Sequence, residues 1–191
     1  MKKVICIFGA SSDKVADEYK EAAFEVGRLI AEKGYSMVFG AGDKGIMGAA
    51  ARGAHSADGE IIGVAPELFD QPGILYENCT ELIITPTMHI RKDTMERRSN
   101  AFITLAGGFG TFEELMEVLT LKQLGYIDAP IIILNTLGYY DNILAMFNKC
   151  VDENFADERY LKLFSVAETP EEALSLAENY VQSDMPLKYK Q

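Results

Sequence analysis

The stretch Val4-Ile5-Cys6-Ile7-Phe8-Gly9-Ala10-Ser11-Ser12, the following segment Asp13 to Lys33, and then Gly34-Tyr35-Ser36-Met37-Val38-Phe39 set the pattern for the whole chain. It begins and ends on short runs of β-branched, aromatic and other apolar residues, the composition of strands. Between them Val15, Tyr19, Ala22, Val26, Leu29 and Ile30 fall on one helical stripe, and Gly34 is well placed to end that helix. Similar runs recur at Ile61 to Val64, Leu82 to Thr85, Phe102 to Leu105 and Ile131 to Leu134. Most lack polar alternation, as strands covered on both faces do. The expected fold is α/β: a doubly wound, mostly parallel sheet with helices on both faces, in a single domain.

Near the end, Thr169-Pro170-Glu171-Glu172 combines an N-cap, a first-turn proline and a glutamate three residues after the cap, opening a helix through Ala173, Leu176, Ala177 and Tyr180. The expected domain is 1–182, with Ser183 to Gln191 as a tail. The chain of 191 residues is 48% hydrophobic, enough for one core without disulfide staples. Eighteen basic against 29 acidic residues give a net charge of −11. Such a surface repels phosphate backbones and anionic membranes, which disfavours a polynucleotide or membrane partner. Cys6, Cys79 and Cys150 are scattered, and Met1-Lys2-Lys3 runs straight into a strand, which reads as a cytoplasmic protein with reduced thiols. With two histidines and no cysteine cluster, no metal site is expected.

Ligands of doubly wound sheets bind beyond the carboxyl ends of strands, where strand order reverses. Three such places are rich in suitable residues. In Gly9-Ala10-Ser11-Ser12, a glycine, two hydroxyls and helix amides suit an anion, while Ser12 or Asp13 equally suits a plain N-cap. Gly40-Ala41-Gly42-Asp43-Lys44-Gly45 has dinucleotide-binding spacing, yet it follows the second run, and no acidic residue ends the next one. A tight turn admitting a ligand to the backbone near Gly42 and Gly45 is the better reading. Helix-to-sheet packing through Gly45, Gly48 and Ala49 to Ala51 is the plainer one.

The third place is the most specific: Met88-His89-Ile90-Arg91-Lys92, then a strand, then Gly107-Gly108-Phe109-Gly110-Thr111-Phe112-Glu113-Glu114. Bare amides at the start of a helix suit a phosphate monoester, and the lysine that a P-loop requires is missing. Arg91, Lys92, Arg97 and Arg98 supply local positive charge in an acidic protein, although such clusters also form ordinary solvated faces. Thr111 and Glu114 have capping-box spacing and need do no more than start a helix. Glu114 at a helix N-terminus would stay ionised, suiting a general base or an electrostatic stabiliser.

Met-His-x-Arg-Lys followed by Gly-Gly-x-Gly-Thr-x-x-Glu resembles the LOG (Lonely Guy) family of cytokinin riboside 5′-monophosphate phosphoribohydrolases, many once labelled possible lysine decarboxylases. Gly9 to Ser12, Gly40 to Gly42, Gly45 to Gly48 and Gly138-Tyr139-Tyr140 share in the likeness. The resemblance implies a Rossmann-like homodimer that cleaves a purine nucleoside 5′-monophosphate to free base and ribose 5-phosphate, without cofactor or metal. It makes Arg91 and Glu114 the catalytic pair. Lys92, the loop Gly108 to Glu113 and Thr120 become substrate contacts, beside Ser11, Ser12, Gly42, Gly45, Met88 and Gly107. Ala106 stands where the family usually has proline, and Phe69 to Glu81 departs from the plant-like pattern, leaving Glu77 as a candidate for an expected acidic contact. Two alternatives of other classes are a non-catalytic nucleotide-binding or sensor module, which needs the phosphate loop alone, and a decarboxylase, which needs pyridoxal phosphate and a Schiff-base lysine.

Overall fold

The computed structural model describes residues 3–181; the expected tail from Ser183 lies outside the described residues. Seven parallel strands among them form one sheet: β1 Val4–Phe8, β2 Ser36–Phe39, β3 Glu60–Pro66, β4 Glu81–Thr85, β5 Ala101–Thr104, β6 Ile131–Leu134 and β7 Ser165–Ala167. Their order is β4-β3-β2-β1-β5-β6-β7. The helices are α1 Asp17–Glu32, α2 Gly45–Ser56, α3 Met88–Arg98, α4 Phe109–Leu124, α5 Asp141–Asp152 and α6 Pro170–Glu178. The expected doubly wound sheet is therefore present, wholly parallel in these residues. β7 and α5 go beyond the sequence reading; a three-residue strand carries too short a pattern to detect.

Strand alternation sorts the apolar residues into two cores. Ile5, Ile7, Met37, Phe39, Ile61 and Ile103 pack with Val26 and Ile30 of α1, Ala50 of α2 and Leu174 of α6. Cys6, Phe8, Val38, Val64, Phe102 and Ile133 pack on the opposite face with Met95 of α3 and Leu115 and Val118 of α4. Each central strand thus buries both faces, which explains its uninterrupted apolar run. β4 is the exception: it is an edge strand, and Leu82 and Ile84 stay exposed despite an equally apolar sequence.

The chain builds outward from β1 to β4, then α3 carries it back to place β5 on the other side of β1. The reversal leaves a crevice above the carboxyl ends of β1 and β5. There the two outgoing loops are stitched together by Ala10 N–H donating to Ala106 O (3.2 Å).

Candidate active site

A cleft of about 510 Å³ occupies that crevice. Gly9 to Ser12 form one side, Gly40 and Gly42 to Lys44 the floor, Gly108, Gly110 and Thr111 the other side, and Met88, Arg91 and Glu114 the back. An apolar wall of Met47, Phe69, Ile74 and Leu75 closes the remainder. Met47 comes from α2, and the other three from the segment following β3, which docks on the glycine turn through Asp43 N–H to Ile74 O (3.0 Å) and Tyr76 N–H to Ala41 O (2.8 Å).

Arg91 reaches the site because Thr87 caps α3, its hydroxyl accepting from Ile90 N–H at 3.2 Å. Arg91 is 5% exposed, with Nε donating to Val64 O (3.0 Å) and Nη1 to Glu114 Oε1 (2.8 Å). Its remaining terminal nitrogen lies against Gly40, where a Cβ would fall 2.0 Å from Nη2. Glycine at 40 is what allows the arginine to lie across the strand end. Glu114 has a side chain only 12% exposed, and burial pushes its carboxyl above the usual range while the Arg91 charge pulls the other way.

These positions revise the capping-box reading. α4 begins at Phe109 with Gly108 as N-cap, so Thr111 lies inside its first turn, packed over Gly107, and Glu114 lies in its second. Glu114 therefore caps nothing. Past the first turn the helix field has also largely decayed, and burial rather than the dipole is the leading influence on its protonation.

The two glycine-rich turns differ in what their amides meet. At α2, Gly45 N–H donates to Asp13 Oδ1 (2.7 Å), while Ile46 and Met47 N–H donate to Ala10 O (2.9 and 3.1 Å). That helix end is filled by the chain itself and cannot cradle a dinucleotide pyrophosphate. At α4, the amides of Phe109, Gly110 and Thr111 have no hydrogen-bond partner among the described residues. Gly108 and Gly110 have open space where a Cβ would stand, so the fold itself does not require glycine there.

Of the residues expected at the site, Ser11, Ser12, Gly42, Met88, Arg91, Gly108, Gly110, Thr111 and Glu114 line the cleft. Gly45 and Gly107 are outside the lining, Gly45 close against the backbone of Ser11 and Ser12 and Gly107 against Thr111. Lys92 turns away from it, bonded to Glu113 and to Glu117 (2.7 Å). Phe109 is 92% exposed outside the lining, and Phe112 packs on Tyr139 and Tyr140. Thr120 donates to Met116 O (2.7 Å) and lines a separate apolar groove with Met116 and Phe147. Arg97 and Arg98 are paired with Asp93 and Glu81 (2.7 and 2.6 Å) on the surface, so Arg91 is the one member of the basic cluster that lines the cleft. Glu77 is exposed and outside the lining; Asp43 is the acidic residue that joins Glu114 there. Sequence reading missed Asp43, Lys44 and the apolar wall, whose only signal was position within or near a glycine turn.

The family model described as possible lysine decarboxylase matches residues 47–177. The chain is 37% identical over 177 residues to the Arabidopsis thaliana cytokinin riboside 5′-monophosphate phosphoribohydrolase LOG2, covering 93% of this chain and 83% of that protein. It is 35% identical to the probable enzyme LOGL3 of Oryza sativa subsp. japonica, over 94% of this chain and 85% of that one. Among solved structures it is similar in fold to the molybdenum cofactor carrier protein of Chlamydomonas reinhardtii (TM-score 0.73, 24% identity, 93% and 96% of the two chains). A decarboxylase site fits the cleft poorly, since Lys44 sits exposed at its rim and Lys92 is held by two carboxylates outside it. Relatives aligned over nearly the whole chain agree with the paired motifs that build the cleft, and the chain belongs to the cytokinin riboside 5′-monophosphate phosphoribohydrolase (LOG) family.

Proposed function

We propose that the protein hydrolyses the N-glycosidic bond of a purine nucleoside 5′-monophosphate, with adenine or an N6-substituted adenine as base, to free base and ribose 5-phosphate. The observation that carries this is the buried Arg91–Glu114 pair beside three unpartnered amides at the start of α4. The amides and the positive helix end hold the 5′-phosphate. This anchors the ribose so that its C1′ faces the carboxylate, converting binding energy into orientation. As the C1′–N bond lengthens, positive charge builds on the sugar ring, and the Glu114 carboxylate stabilises it. The base departs with the bonding pair and takes up a proton from solvent, while water adds its oxygen to C1′ and gives its proton to Glu114. Arg91 holds the carboxylate in place and favours its ionised form against burial. The apolar wall of Phe69, Ile74 and Leu75 offers the base and any N6 substituent a surface without charge.

A sensor module would need the amides but not a buried ion pair aimed into the cleft, so hydrolysis is the better reading. Chromatography of AMP and of an N6-prenylated AMP, incubated with the protein in the absence of added metal or cofactor, tests it. Free base and ribose 5-phosphate are expected from at least one. Binding of both without turnover would overturn the hydrolase and leave the sensor.

The reading extends to a homodimer in the cytoplasm. Met116, Met146, Phe155 and Leu124 leave apolar surface on and around α4 and α5 that a second copy would cover, on the side that carries Thr120. Light scattering giving a monomer at working concentration would refute the dimer. The three cysteines are free, with Cys6 fully buried, in keeping with a reducing compartment.

A further inference from the structure

We propose that Tyr139 and Tyr140 are positioning residues that hold the phosphate-binding turn by two of its carbonyls. The inference rests on the hydrolase reading for its substrate, but the geometry is independent of it. As the chain leaves β5 it stops pairing regularly, and the carbonyls of Leu105, Ala106 and Gly107 must each find a partner. Ala106 O takes the amide of Ala10, on the β1 side. Leu105 O accepts from the Tyr140 hydroxyl (2.7 Å), and Gly107 O accepts from the Tyr139 hydroxyl. A trans peptide carries its N–H antiparallel to its C=O. Drawing the Gly107 carbonyl toward Tyr139 therefore turns the Gly108 N–H to the opposite side, and Gly108 is a cleft-lining residue.

The two rings are themselves firmly placed. Tyr140 is fully buried, its amide donates to Asn135 Oδ1 (2.7 Å), and Asn135 Nδ2 donates to Asp141 Oδ1 (2.8 Å). The rings pack edge to face with centroids 5.1 Å apart. Phe112 from α4 packs on both, and Tyr19 from α1 meets Tyr139 edge-on at 5.7 Å. The clamp thus ties the turn to α1, α4 and the β6–α5 connection.

The test uses Tyr139→Phe, which keeps the ring of a residue 38% exposed, with Tyr140→Phe as the second variant. For each, KM for AMP is expected to rise about five- to tenfold with kcat within about twofold, the effect of one lost hydrogen bond acting on binding. Inhibition by ribose 5-phosphate should weaken by the same factor, whereas inhibition by adenosine, which has no phosphate, should not change. A purely structural role would lower thermal stability and active fraction without separating KM from kcat. Unchanged KM and unchanged ribose 5-phosphate inhibition in both variants would overturn the clamp. Calorimetric binding of ribose 5-phosphate separates the two readings. Wild-type protein that binds it without releasing base from any nucleotide refutes the hydrolase, while weaker binding in Tyr139→Phe still upholds the clamp. Wild-type protein that does not bind it refutes the clamp.

Discussion

Glu114→Gln separates chemistry from architecture at the site. The amide keeps an oxygen that can accept from Arg91 Nη1, at the 2.8 Å now spanned by the ion pair, and keeps the shape of the side chain. It removes the negative charge and the proton acceptor. Loss of a general base lowers turnover about 10²- to 10⁴-fold, a barrier increase of about 3–5 kcal/mol. Binding of ribose 5-phosphate should stay within about threefold, because the amides of residues 109–111 are untouched. Stability should move little. Burial raises the Glu114 carboxyl, so the folded protein gains by losing a desolvated charge, while Arg91 loses its counter-ion. The two oppose each other, and a change within about 1 kcal/mol corresponds to about 2–4 °C in Tm for a chain of this size. The wild-type pH profile supplies a further check. The base acts when ionised, so kcat/KM falls as pH drops through its folded pKa, and that limb lies above the ordinary carboxylate range and is absent in the variant. Steady-state assays, calorimetry and thermal melts make up the experiment. Near-normal turnover in Glu114→Gln would remove the carboxylate from the mechanism and refute the assignment.

Other outcomes follow from single contacts. Gly108→Val places a side chain in open cleft space at an extended backbone position, so the melting temperature should hold while KM for AMP rises at least about tenfold; an unchanged KM would move the phosphate elsewhere. Asp13→Ala leaves the Gly45 amide without its cap and should cost about 1 kcal/mol, seen as a lower Tm, without changing which nucleotides bind. Glu96, half-buried beside Glu117, has its carboxyl pushed up to about 7. A raised folded pKa means the folded state loses stability as pH climbs from the ordinary carboxylate value through about 7, so Glu96→Gln should stabilise more at pH 8 than at pH 5. Equal melting-temperature gains at both would refute it.

The central strands were legible because parallel strands buried on both faces must be apolar throughout, and β1, β2 and β6 follow their runs closely. The same rule misleads at β4, whose apolar residues are exposed: a run of Leu and Ile does not say which strand is the edge. At the site, the glycine loop could be anticipated because it follows β5, which flanks the reversal, whereas Arg91 follows the edge strand β4 and its pairing with Glu114 was legible only through the family resemblance. The fate of Lys92 could not. Its neighbour in sequence points into the cleft, while Lys92 itself is committed to Glu113 and Glu117, one and two turns along α4's outer side. Adjacent helical residues diverge by about 100°, so a shared motif does not imply a shared face.

The deepest ambiguity lay between the two glycine turns, since Gly40 to Gly45 and Gly107 to Thr111 both follow a strand and both open a helix. Local sequence gives the first the spacing of a dinucleotide fingerprint, though after the second strand run rather than the first. What decides between them comes from elsewhere in the chain: Asp13 and Ala10, from the loop after β1, occupy the amides of α2, and nothing comparable among the described residues reaches α4. A carboxylate held at the α2 N-terminus does what a phosphate would do there, satisfying the amides and meeting the helix dipole, and it also repels a second anion. Between Ala10 and Asp13, Ser11 and Ser12 of the same loop line the cleft that Gly108, Gly110 and Thr111 also line. One loop thus fills the amides of α2 while lining the cleft beside α4. Under the proposed function, a single monophosphate on α4 is the arrangement this leaves, which suits a nucleotide carrying one phosphate rather than a dinucleotide.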